Sequence, residues 1–397
     1  MLSTQLKLDF PNIQTRLTDV EVDQLSKAIR SATALTMGPY LKEFEKNFAD
    51  YLNIKFAFGL SSCTAALEIA AMISNIGPND EILVPAHTFT ASALPFLRKK
   101  AKIVFVDIHP ETFVMDLQSL KNKLSPRSKV IVPVHLYGLP IAMDEVLDIA
   151  TEKNLIVIED CAQSPGAEYK GKKVGTFGDF GCFSFHGQKN ITTLGEGGML
   201  VTNNDKYCEK ILGLRKIGAR PFIDQEQYWK PAMSNIVEAI PGEYPHNFGL
   251  GEIQAFAGIL LLKRIEQINA IRRRNTEVIV KELADFPELQ FQKIPSNCLS
   301  AHHLLPAKYN GGKYNKNRDS LIEQLYSQFG IKCAVQYYPL YRYELFKNNG
   351  YSEKDFCPNT EDFFNNMISF PFSTDMSSED LQYLIDCLKK SLQKLRG

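Results

Sequence analysis

Between residues 55 and 202 the hydrophobic positions follow two alternating patterns, which predict alternating strands and helices. Short, continuous apolar runs rich in valine and isoleucine predict strands, and the segments between them repeat apolar residues at the helical period of about 3.6. The strand runs are KFAFGL, EILVP, KIVFVD, KVIVPVHLYG, LIVIED, GCFSF and GMLVT. The helical segments are TAALEIAAMISNI, TASALPFLRKK, LQSLKNKL and AMDEVLDIATEKN. Apolar strands separated by helices are typical of a mostly parallel sheet with helices on both faces.

The pattern changes near residue 250. GEIQAFAGILLLKRIEQINAIRRRNTEVIVKELADF predicts a long helix or a helix pair that links two domains. Three short strand candidates follow (CLSAHHLLPA, KCAVQYYPL and MISFPF), together with a helix that ends at Gly330 and a helix that begins at Ser377. We therefore predict an α/β fold with a large domain in residues 1–250 and a smaller α+β domain in residues 251–397. Residues 219–248, which contain Trp229, predict a long loop or an arm that packs on a partner.

Composition and charge predict a soluble globular protein and give no support to a nucleic-acid or membrane-surface role. The 397 residues are 44% hydrophobic, and 45 basic side chains balance 45 acidic ones. Zero net charge gives no support to nucleic-acid binding. The eight cysteines form no C-x-x-C pair, the N-terminal residues lack a signal-peptide pattern, and the apolar run AFAGILLL is too short to span a bilayer. These features predict a cytoplasmic protein, and the seven histidines lack metal-site spacing, so we predict no metal.

Polar residues follow several predicted strands, where an open α/β sheet binds its ligands. Ser61, Ser62 and Thr64 precede a helix, and a helix N-terminus with hydroxyls either binds a phosphate or is simply capped. Glu159 and Asp160 end LIVIED, where an acid binds a cation or a protonated ring nitrogen, or is satisfied by loop N–H groups.

Lys189, in FSFHGQK, lies in a segment that follows an apolar strand. Most lysines are solvated, but a desolvated lysine becomes a nucleophilic amine. Pyridoxal phosphate (PLP) needs such a lysine, an acid at its ring nitrogen, phosphate donors and a flat group against its ring. Lys189, Asp160 and the hydroxyls supply the first three, and Phe89 supplies the last.

The sequence resembles the DegT/DnrJ/EryC1/StrS family of sugar aminotransferases, which have the type I, aspartate-aminotransferase-like PLP fold. The resemblance runs from TMGPYLKEFEKNFADYL to MISFPFSTDMSSEDL. Its most specific parts are VPAHTFTASA and EDCAQSPGAEYKGKKVGTFGDFGCFSFHGQKNITTLGEGGMLVT.

The resemblance implies a role for each matching residue. Lys189 is the Schiff-base lysine, Asp160 keeps the ring nitrogen protonated, Gln163 lies near the ring hydroxyl, and Phe89 stacks on the ring. The phosphate ligands are Ser62, Thr64, Ser184 and the backbone of Cys63. Asn247 reaches the phosphate of the neighbouring subunit, which implies a homodimer with shared active sites. His186, Tyr338 and Tyr341 are candidates for substrate contacts.

The chain departs from the family pattern at three places. Cys63 replaces the glycine of Ser-Gly-Thr, and Gly249 replaces the arginine of Asn-x-Arg. Gln336 and Tyr341 stand where the family has the histidines of His-Tyr-x-Pro-Leu-His. The last two departures lie near the substrate side and leave open an acceptor without a nucleotide.

The resemblance predicts transfer of an amino group from glutamate to a keto-sugar, most simply a nucleotide-linked keto-deoxysugar, in amino-sugar biosynthesis. Family members that dehydrate the sugar have histidine at position 189, so lysine favours transamination. Three alternatives stay open: an acceptor without a nucleotide, such as a keto-ulosonic acid or a cyclitol; a PLP-binding regulatory or inactive partner subunit; and a PLP enzyme of elimination or dehydration.

Overall fold

The computed structural model describes residues 6–220 and 235–397, which form an α/β fold. Its α-helices, in chain order, are α1 Asp19–Ser31, α2 Pro39–Leu52, α3 Cys63–Ile73, α4 Leu94–Arg98, α5 Leu117–Lys123, α6 Met143–Lys153, α7 Asp205–Arg215, α8 Glu252–Leu262, α9 Ile265–Glu282, α10 Arg318–Phe329, α11 Glu344–Asn348, α12 Pro358–Asn366 and α13 Ser378–Arg396. The strands are β1 Phe56–Leu60, β2 Glu81–Pro85, β3 Lys102–Val106, β4 Ser128–Ile131, β5 Ile156–Asp160, β6 Glu168–Tyr169, β7 Lys172–Lys173, β8 Phe180–Ser184, β9 Gly198–Thr202, β10 Ala219–Arg220, β11 Asn235–Ile236, β12 Leu289–Phe291, β13 Cys298–Leu299, β14 Leu305–Tyr309 and β15 Met367–Phe370.

The large sheet contains seven strands in the order β1-β9-β8-β5-β4-β2-β3. Neighbouring strands from β8 to β3 run parallel. Only β9 runs antiparallel to its neighbours, β1 and β8. The predicted mostly parallel sheet is confirmed, although the strand predicted from KVIVPVHLYG ends at Ile131. Pro133, two residues later, has no N–H with which to continue the ladder.

Helices cover both faces of this sheet, as the continuous apolar strands predict. In β8, Phe180 and Cys182 belong to one cluster of buried side chains. Phe183, the residue directly after Cys182, belongs to a second cluster with Phe44 of α2 and Leu261 of α8. Because successive side chains of a strand point to opposite faces, the two clusters lie on opposite sides of the sheet.

A smaller α+β unit contains the third buried cluster. Its antiparallel sheet has the order β12-β14-β15, and α10 and α13 contribute buried side chains to the same cluster. The predicted strand KCAVQYYPL is wrong, because this segment pairs with the sheet only through a bridge from Ala334 to Ser369. The C-cap of α10 at Gly330 and the N-cap of α13 at Ser377 are as predicted.

Helix α9 contributes side chains to two of the buried clusters. Ile268 of α9 packs in the second cluster, whereas Ile279 packs in the third. Leu8 near the N-terminus also joins the third cluster, and α8 packs in the second. The division at residue 250 stays a prediction.

The segment predicted as an arm, residues 219–248, is described only at its two ends. Residues 221–234, including Trp229, lie outside the described residues, and the flanking strands β10 and β11 pair antiparallel. All eight cysteines are free thiols. Within the described ranges, we find no helix long and apolar enough to cross a bilayer.

Candidate active site

The predicted site residues meet at one edge of the large sheet. Strands β1, β2, β5 and β8 point the same way, and they end at Leu60, Pro85, Asp160 and Ser184. Strand β9 runs the opposite way, so its first residue, Gly198, pairs with both Leu60 and Ser184 at this edge. The topology therefore brings together residues that are far apart in the sequence.

The N-terminus of α3 offers free donors at this edge. Ser62 is the N-cap, and its Oγ accepts the N–H of Ala65 at 3.1 Å, so the simple capping role holds. The N–H groups of Cys63 and Thr64 have no acceptor in residues 6–220 and 235–397. Free N–H groups at the start of an 11-residue helix favour an anion.

Gly198 lets β9 approach the same helix start. A Cβ at this position would lie 2.3 Å from the carbonyl carbon of Ser62 and 2.5 Å from the nitrogen of Cys63. No side chain fits that gap. The backbone of β9 therefore packs directly under the turn that presents the free N–H groups.

The two acids at the end of β5 have different surroundings. Glu159 is fully buried, and its Oε1 accepts the N–H groups of Phe177 and Gly178 at 2.7 Å each. Its Oε2 accepts the N–H of Gly175 at 2.7 Å and lies 3.1 Å from Nε2 of His135. Glu159 is thus the loop carboxylate of the two alternatives, and it anchors residues 175–178 on the sheet.

His135, Glu159 and Cys161 have the composition of a metal site, because their ligand atoms lie within 4.8 Å of one another. Nδ1 of His135 accepts a hydrogen bond from the N–H of Ile141 at 3.2 Å. The ring proton is therefore on Nε2, which donates a hydrogen bond to Glu159. Burial raises the pKa of the Cys161 thiol well above its ordinary value. These groups use their ligand atoms in protein hydrogen bonds or keep them protonated, so the cluster is structural.

Asp160 is buried at the site edge and keeps acceptor capacity. Its Oδ1 accepts the N–H of Ala162 at 3.0 Å, and its Oδ2 accepts the hydroxyl of Ser92 at 2.6 Å. Each oxygen of an ionised carboxylate can accept a further hydrogen bond. Asp160 is therefore the acid that remains able to hold a protonated ring nitrogen.

Gln163 lies close by and is hydrogen-bonded at both ends. Its Oε1 accepts the N–H of Tyr137 at 2.7 Å, and its Nε2 donates to the hydroxyl of Tyr337 at 2.7 Å. The Tyr137 hydroxyl lies 2.7 Å from Nε2 of His87. This network fixes the amide of Gln163. It also places Tyr337, which comes from the C-terminal half of the chain, in contact with the site.

Lys189 is half-buried, and its amine has no hydrogen-bond or ion-pair partner within the described ranges. Burial lowers the pKa of Lys189 below its ordinary value, while Cys63 and Asp160 raise it by a smaller amount. Both groups are therefore electrostatic neighbours of the amine. Desolvation without a fixed partner is the environment that a nucleophilic lysine needs.

The other predicted ligands of PLP lie at or near this edge. The side chain of Phe89 is 56% exposed, and its ring centroid is 6.0 Å from that of Tyr337. Ser184 ends β8, with its Oγ 3.4 Å from the N–H of His186. Asn247 is exposed, and its backbone bridges to Lys216.

Of the substrate candidates, the structure brings only His186 beside Lys189. The carbonyl of His186 accepts the N–H of Lys189 at 2.9 Å. Tyr338 lines a separate cavity of about 430 Å³ formed by residues 338–356. Tyr341 is fully buried, and its hydroxyl accepts the N–H of Cys357 at 3.2 Å. Tyr341 is a core residue. From the same segment, residues 336–341, Tyr337 contacts the site through Gln163.

Sequence reasoning missed Thr88, Ser92, Tyr137 and Tyr337. Thr88 and Ser92 flank Phe89 in PAHTFTAS, and the density of hydroxyls after an apolar strand was the available signal. Tyr137 and Tyr337 had no such signal, because only the tertiary fold connects them to Gln163.

Comparison with known proteins identifies the class. The family model of the DegT/DnrJ/EryC1/StrS aminotransferase family matches residues 16–389. The chain therefore belongs to this family of PLP-dependent sugar aminotransferases.

Relatives that are named for sugar aminotransferase activities match most of the chain. GDP-perosamine synthase of Caulobacter vibrioides is 35% identical, over 84% of this chain and 86% of its own length. UDP-N-acetyl-3-dehydro-alpha-D-glucosamine 3-aminotransferase of Acidithiobacillus ferrooxidans is 30% identical, over 90% of this chain and 89% of its own. Among solved structures, Spr1654 of Streptococcus pneumoniae, a candidate sugar aminotransferase in its PLP form, superposes with a TM-score of 0.86. It is 26% identical and covers 97% of this chain and 99% of its own. The predicted type I fold is confirmed.

The residues present fit PLP. The free N–H groups at the start of α3 suit its phosphate, and Asp160 has acceptor capacity for its ring nitrogen. The amine of Lys189 has no other partner in the parts of the chain described. Donors, carboxylate and amine lie at one sheet edge, which is the set that PLP requires.

Proposed function

We propose that the protein transfers an amino group from L-glutamate to a nucleotide-linked keto-sugar, with Lys189 as its catalytic residue. The observation that carries this proposal is the half-buried amine of Lys189, which lacks a partner in the described residues and has Asp160 as an electrostatic neighbour. PLP, when bound, supplies the electron sink for chemistry at the amino-acid Cα.

The residues of this chain have separate tasks in the proposal. Lys189 holds the cofactor and moves the proton at the Cα of the donor, which needs a neutral amine. Burial supports this role because it lowers the pKa of Lys189. Asp160 holds the ring nitrogen, and Phe89 lies against the ring. Cys63, Thr64, Ser62 and Ser184 bind the phosphate.

The overall reaction balances in two halves. In the first half the C–N bond of glutamate breaks, one water supplies the carbonyl oxygen, and the donor leaves as a 2-keto acid. In the second half, the carbonyl of the acceptor sugar becomes a C–NH2 group, and its oxygen leaves as water. Between the halves the amino group would be held on PLP, which Lys189, Asp160 and the start of α3 would keep in the site.

A nucleotide-linked acceptor is supported by the named activities of the relatives. The Caulobacter relative is named for a GDP-linked sugar and the Acidithiobacillus relative for a UDP-linked sugar. Gly249 and Gln336 depart from the family pattern at positions that the resemblance places near the substrate side. The identity of the nucleotide is therefore tested by experiment.

A homodimer and a cytoplasmic location are part of the same proposal. The exposed side chain of Asn247 has no partner in the described residues of its own chain, which supports a role at a second subunit. The free cysteines support a reducing compartment.

The test follows the visible absorbance of the protein with PLP, before and after L-glutamate is added. We expect a band that shifts on addition of glutamate, and no such shift in Lys189→Ala. The control is Lys172→Ala, which changes an exposed lysine. GDP-linked, UDP-linked and free keto-sugars are then supplied, and the 2-keto acid and amino sugar are measured. Turnover by Lys189→Ala, or a wild-type protein without a band, would contradict the proposal.

A further inference from the structure

Two buried hydroxyls form a chain that ends on Asp160. The Oγ of Ser92 lies 2.6 Å from Oδ2 of Asp160, and Oγ1 of Thr88 lies 3.0 Å from Oγ of Ser92. Thr88 and Ser92 are each 1% exposed. When the carboxylate is ionised it only accepts, so Ser92 donates to Asp160 and Thr88 donates to Ser92.

One short turn positions both hydroxyls. It follows β2 and contains a 3-10 helix at Thr90–Ser92, whose N-cap is Phe89. The exposed ring of Phe89 therefore lies on the same turn as the two buried hydroxyls. The turn combines a flat face for a ring with a donor chain that reaches the carboxylate.

The hydrogen bonds of Asp160 fix its plane. Ala162 donates to one oxygen and Ser92 to the other, so rotation of the carboxylate would break both bonds. A hydrogen bond to the ionised form of a carboxylate stabilises that form, and a linked donor strengthens it.

Several titratable groups surround Asp160, but its side-chain hydrogen-bond donor is Ser92. Asp160 is an electrostatic neighbour of Lys189, Tyr337 and the thiols of Cys63, Cys161 and Cys182. Burial raises the pKa of the three thiols and of the Tyr337 phenol, so these groups stay neutral. None of these groups donates a hydrogen bond to Asp160 within the described residues, and Ser92 is its side-chain donor.

We propose that Ser92, oriented by Thr88, is a positioning residue that holds the carboxylate of Asp160 turned toward the cofactor ring nitrogen. The inference rests on the proposed function, in which Asp160 binds that nitrogen. Ser92 touches neither cofactor nor substrate in this role, and it acts only through Asp160.

The test compares Ser92→Ala, Ser92→Thr and Thr88→Val with the wild-type protein. PLP affinity is measured by titrating the apo-protein, and kcat and KM for glutamate are measured across the acid limb of the pH profile. Loss of a hydrogen bond to a charged group lowers an equilibrium constant by roughly tenfold or more. We therefore expect PLP affinity and kcat to fall by about tenfold in Ser92→Ala. KM should stay within about twofold, because the substrate contacts are unchanged.

The pH profile separates this role from a merely structural one. Without its donor the ionised carboxylate is less stable, so the acid limb should move to higher pH in Ser92→Ala and, by less, in Thr88→Val. Ser92→Thr keeps the hydroxyl and should restore the wild-type profile. Ser164→Ala is the matched control, since Ser164 is buried beside Gln163 with an Oγ that has no partner in the described chain.

The outcomes distinguish this inference from the proposed function. A wild-type protein that binds no PLP would overturn the proposed function first. If the wild-type protein binds PLP but Ser92→Ala keeps its affinity and acid limb, the role of Ser92 is wrong. The same conclusion follows if Ser92→Thr is as impaired as Ser92→Ala. Should Ser92→Ala fail to fold, an unchanged acid limb in Thr88→Val would overturn the inference.

Discussion

Nδ1 of His303 lies 3.1 Å from Oδ1 of Asn190, the residue that directly follows Lys189. Nδ2 of Asn190 donates to the carbonyl of Ala301 at 2.8 Å and to Oδ1 of Asn269 at 3.0 Å. Asn190 and His303 are both buried. The backbone that carries the reactive amine is therefore anchored by a saturated side-chain amide to α9 and to the segment before β14.

Replacing this anchor should cost both stability and activity. Asn190→Ala leaves several buried polar groups without partners, so we expect the free energy of unfolding to fall by roughly 2–4 kcal/mol. We also expect kcat to fall more than KM rises, because a displaced amine is poorly aligned with the donor Cα. Urea unfolding and steady-state kinetics measure the two effects. Asn349→Ala, at an exposed asparagine, is the control, and equal behaviour of the two variants would contradict the anchoring role.

Acid should destabilise the protein through three histidines. Burial lowers the pKa of His87 to about 3 and of His302 to about 3, and it lowers the pKa of His303 well below its ordinary value. The unfolded chain binds protons at about pH 6.5, where the folded chain does not, so stability is full above that pH and is lost as pH falls toward 3.

The slope of this loss is measurable. Each such histidine contributes up to about 1.4 kcal/mol per pH unit between those limits. We expect the urea midpoint to fall steadily with acidification below about pH 6.5. His303→Gln removes one titrating group and should give a shallower slope. A midpoint independent of pH in this range would show that the histidines protonate without unfolding the chain.

Local sequence patterns predicted the fold well where a strand is a continuous apolar run or a helix repeats apolar residues at the helical period. The large sheet and α3 to α6 follow from apolar runs and helical periods, and the N-caps at Ser62 and Ser377 follow from residue type. The strand predicted in KCAVQYYPL is wrong because its apolar residues pack without a partner strand, and Pro339 cannot donate to a ladder.

The candidate site was predictable only in part. Asp160, Lys189 and the start of α3 stand at strand ends, so topology predicts that they meet. The difference between Glu159 and Asp160 was not predictable, because it depends on which backbone N–H groups the 175–178 loop turns toward the sheet. The burial of Tyr341 and the contact of Tyr337 with Gln163 depend on tertiary packing between segments far apart in the sequence.

Glu159 should matter for folding rather than for chemistry. Glu159→Gln keeps the shape but turns an amide N–H toward backbone donors, leaving buried donors unsatisfied. We expect a loss of roughly 2–4 kcal/mol in unfolding free energy. Glu152→Gln, at an exposed position, should change stability by less than about 0.5 kcal/mol. Urea unfolding of the two apo-proteins gives the comparison, and equal midpoints would contradict the anchoring of the loop by Glu159.

Gly198 tests the phosphate end of the site separately from the ring end. In Gly198→Ala the new Cβ would lie 2.3 Å from the carbonyl carbon of Ser62, so the start of α3 must move. Loss of one hydrogen bond to a charged phosphate weakens binding by about tenfold or more, so we expect PLP affinity to fall by at least about tenfold. Pyridoxal lacks the phosphate, so its affinity should change little.

The ratio of PLP to pyridoxal affinity is the measurement, taken by absorbance titration of the apo-protein. Gly77→Ala is the control, since a Cβ there meets nothing within 4 Å. An equal loss for PLP and pyridoxal would show that the substitution disturbs the site as a whole. An unchanged ratio with intact binding would show that the N–H groups of Cys63 and Thr64 are not the phosphate ligands.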